Sequence, residues 1–319
     1  MKKALILLGP TGVGKTAVSL KLAQHFRTEI ISSDSMQIYR QMDIGTAKPT
    51  PAEQQLVRHH MIDIVDPWEH FSAGAYIEAV KPVMERLRDE KRMPLIVGGT
   101  GLYLKAMTRG IFKGPSANPA LRAELQDLEQ SRPGSLYRRL QVLDPTGASK
   151  IMPNDLRRII RAIEVCLSGT ISMSDMQMMN TERLPYDFIK IGLARNRDEI
   201  YRMIERRVDV MLEQGLIAEA RNVLDLISAH RPSAFPDSRA SVLSSLQAIG
   251  YKELVGFFAG TCKLEDAVSL IKQRSRNYAK RQFTWFRQES DIAWIDITGL
   301  FDPEAVFTKV LAAVQNRMD

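Results

Sequence analysis

The sequence predicts an α/β protein: a parallel sheet with helices on both faces, interrupted by an all-helical insertion. Three observations carry this reading. Residues 4–8 form a short, wholly apolar run ended by Gly9, as a central parallel strand buried on both faces requires. Strand-like apolar runs then alternate with helix-period segments, the pattern of a sheet covered by helices. The alternation stops between Gly114 and Tyr186, where helix-period runs follow one another with no convincing strand.

After the first strand, residues 16–26 carry Val18, Leu22, Ala23 and Phe26 at helical spacing. Further strands are expected at 29–33, 61–65, 94–97, 188–194 and 292–297, with a long helix over 72–90. The insertion opens on Gly114-Pro115-Ser116-Ala117-Asn118-Pro119, a run of turn formers, and holds helices at 121–129, 136–143 and 156–167. Charged helices follow at 197–212, 216–227 and 264–287. The expected organisation is a core of residues 1–113 and 187–319 with 114–186 inserted as a helical domain.

Composition sets the class. At 319 residues the chain exceeds the usual single core, and its 45% hydrophobic and 25% charged residues are those of a globular protein, which excludes a disordered chain. A net charge of +7 favours an anionic partner. Cys166 and Cys262 lie far apart without CxxC spacing, which fits a reducing cytoplasm and leaves no cysteine-based zinc site. The apolar start after Met1-Lys2-Lys3 imitates a signal peptide but breaks at Gly9-Pro10, and no stretch has the length a membrane span needs. A cytoplasmic protein without membrane contact is expected.

Gly9-Pro10-Thr11-Gly12-Val13-Gly14-Lys15-Thr16 matches GxxxxGK[ST], directly after a strand and directly before a helix. Such a loop is an anion cradle. Backbone N–H groups and the helix N-terminus converge on phosphate oxygens, Lys15 neutralises charge, and the Thr16 hydroxyl can sit on Mg²⁺. The loop does not say whose phosphates it holds.

The second strand runs into Ser32-Ser33-Asp34-Ser35-Met36-Gln37. Carboxyl ends of neighbouring strands line the crevice of an open parallel sheet, so Asp34 should face the pocket of Lys15 and Thr16. A carboxylate there could hold Mg²⁺ through water, act as a general base, or cap the turn. The next strand ends in Gly98-Gly99-Thr100-Gly101, where a nucleotide hydrolase would more often carry an aspartate for Mg²⁺. Phosphoanhydride hydrolysis is therefore not the expected chemistry. Thr100 either bonds a substrate or caps the helix that follows.

Residues 272–287 hold six Lys/Arg and no acid, interleaved with Tyr278, Phe283, Trp285 and Phe286. Basic groups suit phosphates and aromatic rings suit exposed bases, although a solvated helix face and core aromatics would look the same. Arg157, Arg158 and Arg161, and likewise Arg202, Arg206 and Arg207, share helix faces by spacing. His59-His60 reads as structural, because adjacent strand residues point to opposite faces. Met173, Met176, Met178 and Met179 read as gap fillers.

Taken in order, GPTGVGKT, SSDSMQIYRQMDIGTAKP, HHMIDIVDP, FSAGAY, VGGTGLYL, NDLRRIIRAIEV and YAKRQFTWFR run through nearly the whole chain. The combination resembles the tRNA dimethylallyltransferases (tRNA isopentenyltransferases) of bacterial type. The resemblance implies a P-loop NTPase-like fold with a helical insertion. It also implies transfer of the dimethylallyl group of dimethylallyl diphosphate, with Mg²⁺, to N6 of the adenosine 3′ of the tRNA anticodon. The P-loop, Gly9 to Thr16, would then bind the donor's diphosphate, and ATP would be at most a look-alike.

By the same resemblance, Asp34 is the candidate base, Thr100 lies at the transfer site and Arg207 helps hold the diphosphate. Expected tRNA contacts are Asp34, Ser35, Met36, Gln37, Thr100, Arg122, Arg158, Ile159, Ile160, Arg161 and Ala162, then Arg239, Gln273, Arg274, Arg276 and Lys280. The chain departs from the family pattern at Ser168-Gly169-Thr170-Ile171 and at Arg239-Ala240-Ser241-Val242. The expected partners are the tRNA anticodon stem-loop and dimethylallyl diphosphate, with the enzyme a monomer. A small-molecule nucleotide kinase, a nucleotide-gated RNA-binding protein and an adenylate isopentenyltransferase are the alternatives.

Overall fold

The computed structural model describes residues 2–112, 114–169, 172–175, 181–230 and 243–318. Its strands are β1 (Lys3–Leu8), β2 (Ile30–Ser33), β3 (His59–His60), β4 (Leu95–Gly98), β5 (Ile111–Phe112), β6 (Thr181–Glu182), β7 (Asp187–Ala194) and β8 (Ile292–Asp296). The first helices are α1 (Lys15–His25), α2 (Pro51–Leu56), α3 (Ala73–Asp89), α4 (Gly101–Arg109), α5 (Pro119–Ser131), α6 (Ser135–Leu143), α7 (Pro145–Ala148) and α8 (Leu156–Ser168). After β7 come α9 (Arg197–Glu213), α10 (Leu216–His230), α11 (Tyr251–Phe258), α12 (Leu264–Phe286) and α13 (Pro303–Met318). Contacts divide the chain into two compact units, one spanning 109–184 and the other holding the flanking described segments.

The larger unit is built on a six-stranded sheet in the order β3-β2-β4-β1-β7-β8, every pair parallel. Alternate residues of its strands serve different faces. Leu5, Leu7, Leu95 and Ile191 pack with Val18 and Leu22 of α1 and with Val306 and Val310 of α13. Ile6, Ile31 and Ile96, on the other pleat, are also buried. Burial of both pleats explains why these strands read as unbroken apolar runs.

Register sets up the site. Leu8 of β1 and Ser33 of β2 both pair with Gly98 of β4, so three adjacent strands end level. The first strand lies between β4 and β7, with β2 and β3 beyond one neighbour and β8 beyond the other. A crevice opens at the carboxyl end of such a strand.

The strand expected at 61–65 is not there. The third strand is His59–His60, paired with Ile30 and Ile31, and the chain turns immediately after it. Met61 (φ 62°) and Asp63 (φ 54°) are left-handed, which no ladder accommodates. Of the expected segment, Val65 alone makes a bridge, to Tyr39.

In the smaller unit, Leu125, Leu136, Leu140, Ile159, Ala162 and Ile163 form one core, with Met173 packed against it. The segment is not wholly helical: β6 pairs antiparallel with β5, Phe112 opposite Thr181 and Ile111 opposite Glu182. Two residues are too short for a strand period to register in the sequence. Met176, Met178, Met179, Thr170, Ile171 and Arg239 to Val242 lie outside the described residues. Among the described residues, no helix is long and apolar enough to cross a membrane.

Candidate active site at the carboxyl end of the sheet

The loop after β1 curls over the N-terminus of α1, whose N-cap Gly14 is left-handed (φ 102°). Glycine adopts that conformation without the cost a Cβ would bring. Behind the loop, Arg195 donates from Nε to Val13 O at 3.1 Å and is itself buried against Glu199. Its other nitrogens hold Ile297 O at 2.9 Å and Leu300 O at 2.6 Å, so the cradle has a rigid back wall.

Lys15 Nζ donates to Gly9 O (2.9 Å) and Pro10 O (3.0 Å) inside the loop. Arg207, from α9, reaches Thr11 Oγ1 at 3.3 Å. Burial lowers the Lys15 ammonium to about 8, with the Arg207 charge pushing the same way and Asp34 opposing both. Burial also lowers Arg207, and Asp34 again opposes. Two cations thus face one carboxylate in a pocket of about 290 Å³, a site with positive charge to spare for an anion.

Asp34 performs one of its three candidate jobs, capping the turn. Its Oδ1 accepts from Met36 N at 2.8 Å and Gln37 N at 3.4 Å, closing the turn after β2. The residue also lines the pocket. Thr100 does not cap α4 with its hydroxyl. Tyr103 N and Leu104 N bond its backbone carbonyl, while Oγ1 accepts from Ser35 N at 3.0 Å. The two loops are therefore tied to each other, and Gln37 is fixed by Ser32 Oγ (3.0 Å) and Ala47 O (3.1 Å).

Thr16 lines the same pocket as Asp34. Mg²⁺ prefers a few hard protein oxygens supplemented by substrate phosphates and water, and a hydroxyl and a carboxylate beside a phosphate cradle fit that demand.

Of two further residues here, the sequence offers Tyr278 only as one of the aromatics interleaved in the basic run and does not single out Gln282. Gln282 of α12 is 6% exposed and bonds Thr11 N and Gly99 O, both at 2.8 Å. One turn earlier, the Tyr278 phenol lies beside Thr100 and Gln282, and burial pushes its ionisation far above the ordinary range, so it stays neutral. Their signal was a spacing of four within the basic run, which reads equally well as a solvated face.

The basic helix carries less unpaired charge than its composition suggests. Lys272 pairs with Asp209 (2.5 Å), Arg274 with Glu253 (2.7 Å) and Arg276 with Glu205 (2.5 Å), all acids from other helices. Among the described residues, Lys280 and Arg281 are in no ion pair, and with Asn277, Thr284, Trp285 and Gln288 they line an open hollow of about 410 Å³. Gln273 is exposed on the same helix. The aromatics divide, Phe286 fully buried and Phe283, Trp285 and Tyr278 partly so.

Arg207 turns into the pocket while Arg202 and Arg206 are exposed, so that trio does not act as one patch. In the smaller unit, Arg122 grips buried Glu164 with Nε (2.9 Å) and Nη2 (2.8 Å), and Arg161 bonds Glu164 (2.5 Å) and Pro115 O (2.9 Å). Ile159, Ile160 and Ala162 are buried, which leaves Arg157 and Arg158 as the outward residues of that stretch. His60 is structural, bonded to Glu29 at 2.5 Å, whereas His59 lines the pocket.

The family described as IPP transferase matches residues 37–289. A tRNA dimethylallyltransferase of Thermodesulfovibrio yellowstonii is 54% identical, the alignment covering 98% of each chain. One from Bacillus pumilus is 43% identical over 92% of this chain and 89% of its own. Among solved structures, the full-length tRNA isopentenylpyrophosphate transferase of Bacillus halodurans aligns over 100% of this chain and 98% of that one, with TM-score 0.69 and 38% identity. A eukaryotic dimethylallyltransferase acting on tRNA aligns over 100% of this chain and 79% of that one, with TM-score 0.81 and 29% identity.

Proposed function

Since the chain belongs to the IPP transferase family, we propose that it moves the dimethylallyl group of dimethylallyl diphosphate onto N6 of the adenosine 3′-adjacent to the tRNA anticodon, releasing diphosphate. The observation that carries this is the level ending of β1, β4 and β2, which gathers an anion cradle and an oriented carboxylate into one pocket. A diphosphate seat explains Lys15 and Arg207. A base beside it explains Asp34.

The amine of adenine is a weak nucleophile because its lone pair is delocalised into the ring, so departure of the diphosphate must be strongly assisted. As the C1–O bond breaks, its electron pair leaves on the diphosphate, where Lys15, Arg207 and the loop amides stabilise the growing charge. The N6 lone pair forms the new N6–C1 bond at the carbon the diphosphate leaves, and Asp34 Oδ2 takes the N6 proton. Mg²⁺, held by Thr16, would add positive charge on the diphosphate. Thr100, bonded to Ser35 N, keeps the acceptor loop in place. The base must leave the anticodon-loop stack to enter, which costs a few kcal/mol.

All these groups come from one chain, so a monomer suffices, and the cytoplasm is where its tRNA would meet it. Diphosphate release measured with donor and tRNA, with donor and AMP, and with ATP alone tests the reading. Release should require tRNA; turnover of AMP or ATP without RNA would refute it.

Lys15 gives the donor a pH dependence. Its ammonium loses its proton near pH 8 in this site, and a bound diphosphate would hold that proton on. Below that pH the cation is already formed. Above it, donor binding must take up a proton, so affinity should fall by up to about tenfold per pH unit. Calorimetry of donor binding in buffers of different ionisation heat should register the uptake, and a Kd constant across this range would contradict it.

Lys280→Ala with Arg281→Ala should weaken tRNA binding and flatten its salt dependence, because cations on RNA phosphates act by releasing counterions. Fluorescence anisotropy over a salt series checks this; unchanged slopes would make the two residues a solvated face.

A further inference from the structure

The inward side of α12 presents Gln282 to the reaction pocket, and both ends of its carboxamide are engaged. Oε1 accepts the Thr11 N–H of the diphosphate loop, and Nε2 donates to Gly99 O, next to Thr100 on the acceptor side. A Cβ built on Gly99 would lie 2.2 Å from Nε2, so glycine is what admits the amide this close. Tyr278, one turn back, stands beside the same amide and Thr100. One planar group therefore spans the two loops that hold the two substrates. Only a side chain that accepts and donates at once can make both bonds.

We propose that Gln282 is a positioning residue for prenyl transfer, fixing the spacing between the diphosphate seat and the loop that orients the acceptor adenine. This rests on the transferase reading given above. Gln282 touches neither reacting atom. Its effect is on alignment, to which transfer between two bound partners is acutely sensitive, a misplacement near 1 Å costing about 10²-fold.

Two variants of nearly equal volume separate this role from packing. Gln282→Met makes neither bond. Gln282→Glu at neutral pH presents a carboxylate to the Gly99 carbonyl and loses the donating end. When protonated, however, the glutamic acid offers a C=O to Thr11 N–H and an O–H to Gly99 O, which is the amide's own pattern. The titratable groups sharing this pocket are Lys15, Arg207, Asp34, His59 and the Tyr278 phenol, His59 adding to the cations as it protonates. The cations move the pH at which the glutamic acid forms downward and Asp34 moves it upward; none changes the sign.

At neutral pH both variants should lose about 10² in kcat, with the KM for dimethylallyl diphosphate and the Kd for tRNA within about threefold of wild type. As pH falls, the rate of Gln282→Glu divided by that of wild type should climb, while the same ratio for Gln282→Met stays flat. Thermal melting and tRNA binding report folding in each sample, and the climb is read within one folded variant. A kcat within about threefold of wild type in both variants, a loss confined to KM or Kd, or two ratios equally flat with pH would overturn the inference. Failure of wild type itself to prenylate tRNA would instead overturn the reading beneath it.

Discussion

Lys15→Ala is expected to lower the single-turnover rate of prenyl transfer by about 10² to 10³, the cost typical of removing one group that stabilises charge in a transition state. The ammonium is buried with Arg207 in a pocket whose other charge is Asp34, so no solvated cation replaces it. Its second function, bonding Gly9 O and Pro10 O, is internal to the loop. The loss should appear with saturating donor, since the charge that needs stabilising grows as the C1–O bond breaks. Binding of tRNA should remain within about twofold, because the cations free to meet phosphates, Lys280 and Arg281, stand on another helix. Rapid-quench transfer assays with a parallel tRNA titration check both halves. Equal losses in rate and RNA affinity would contradict the division of labour.

Asp34→Asn is expected to lower the same rate by about 10² to 10⁴, the range for a positioned acid–base group. The substitution is nearly silent structurally. Asparagine keeps an Oδ1 that can accept from Met36 N and Gln37 N, so the turn persists and Ser35 N still reaches Thr100. What changes is the second oxygen, which becomes an amide nitrogen unable to take the N6 proton. Donor and tRNA affinities should therefore stay near wild type while transfer collapses. A rate within a few-fold of wild type under saturating substrates would reduce Asp34 to the turn it closes.

What could be read from the sequence was what is local or periodic. The P-loop needs only eight consecutive residues with glycines at fixed places, and the strand before it and helix after it are adjacent. Asp34 and Thr100 could be placed because parallel strands of an open sheet end on one side, which needs no knowledge of contacts. The segment 61–65 misled because apolar alternation does not see the left-handed backbone at Met61 and Asp63. Gln282 was invisible for a different reason: its partners Thr11 and Gly99 are 271 and 183 residues away.

Charge was overread in the same way. Residues 272–287 contain no acid, yet Asp209, Glu205 and Glu253 arrive from α9 and α11 to pair with Lys272, Arg276 and Arg274. Arg122 and Arg161 likewise converge on Glu164, which is wholly buried; Arg161 is its i,i+3 neighbour on one helix, but Arg122 comes from another and could not have been assigned by spacing. A run of like charge in sequence states what a helix carries, and tertiary structure decides how much of it reaches a partner.

The most direct test of the account is mass spectrometry of nucleosides and of anticodon-loop fragments from tRNA incubated with the protein, Mg²⁺ and dimethylallyl diphosphate. The account predicts one adenosine per tRNA, the residue immediately 3′ of the anticodon, heavier by a dimethylallyl group on N6, with one diphosphate released for each. Unmodified tRNA in the presence of a protein that turns over ATP, or a prenyl group found on free AMP, would contradict it.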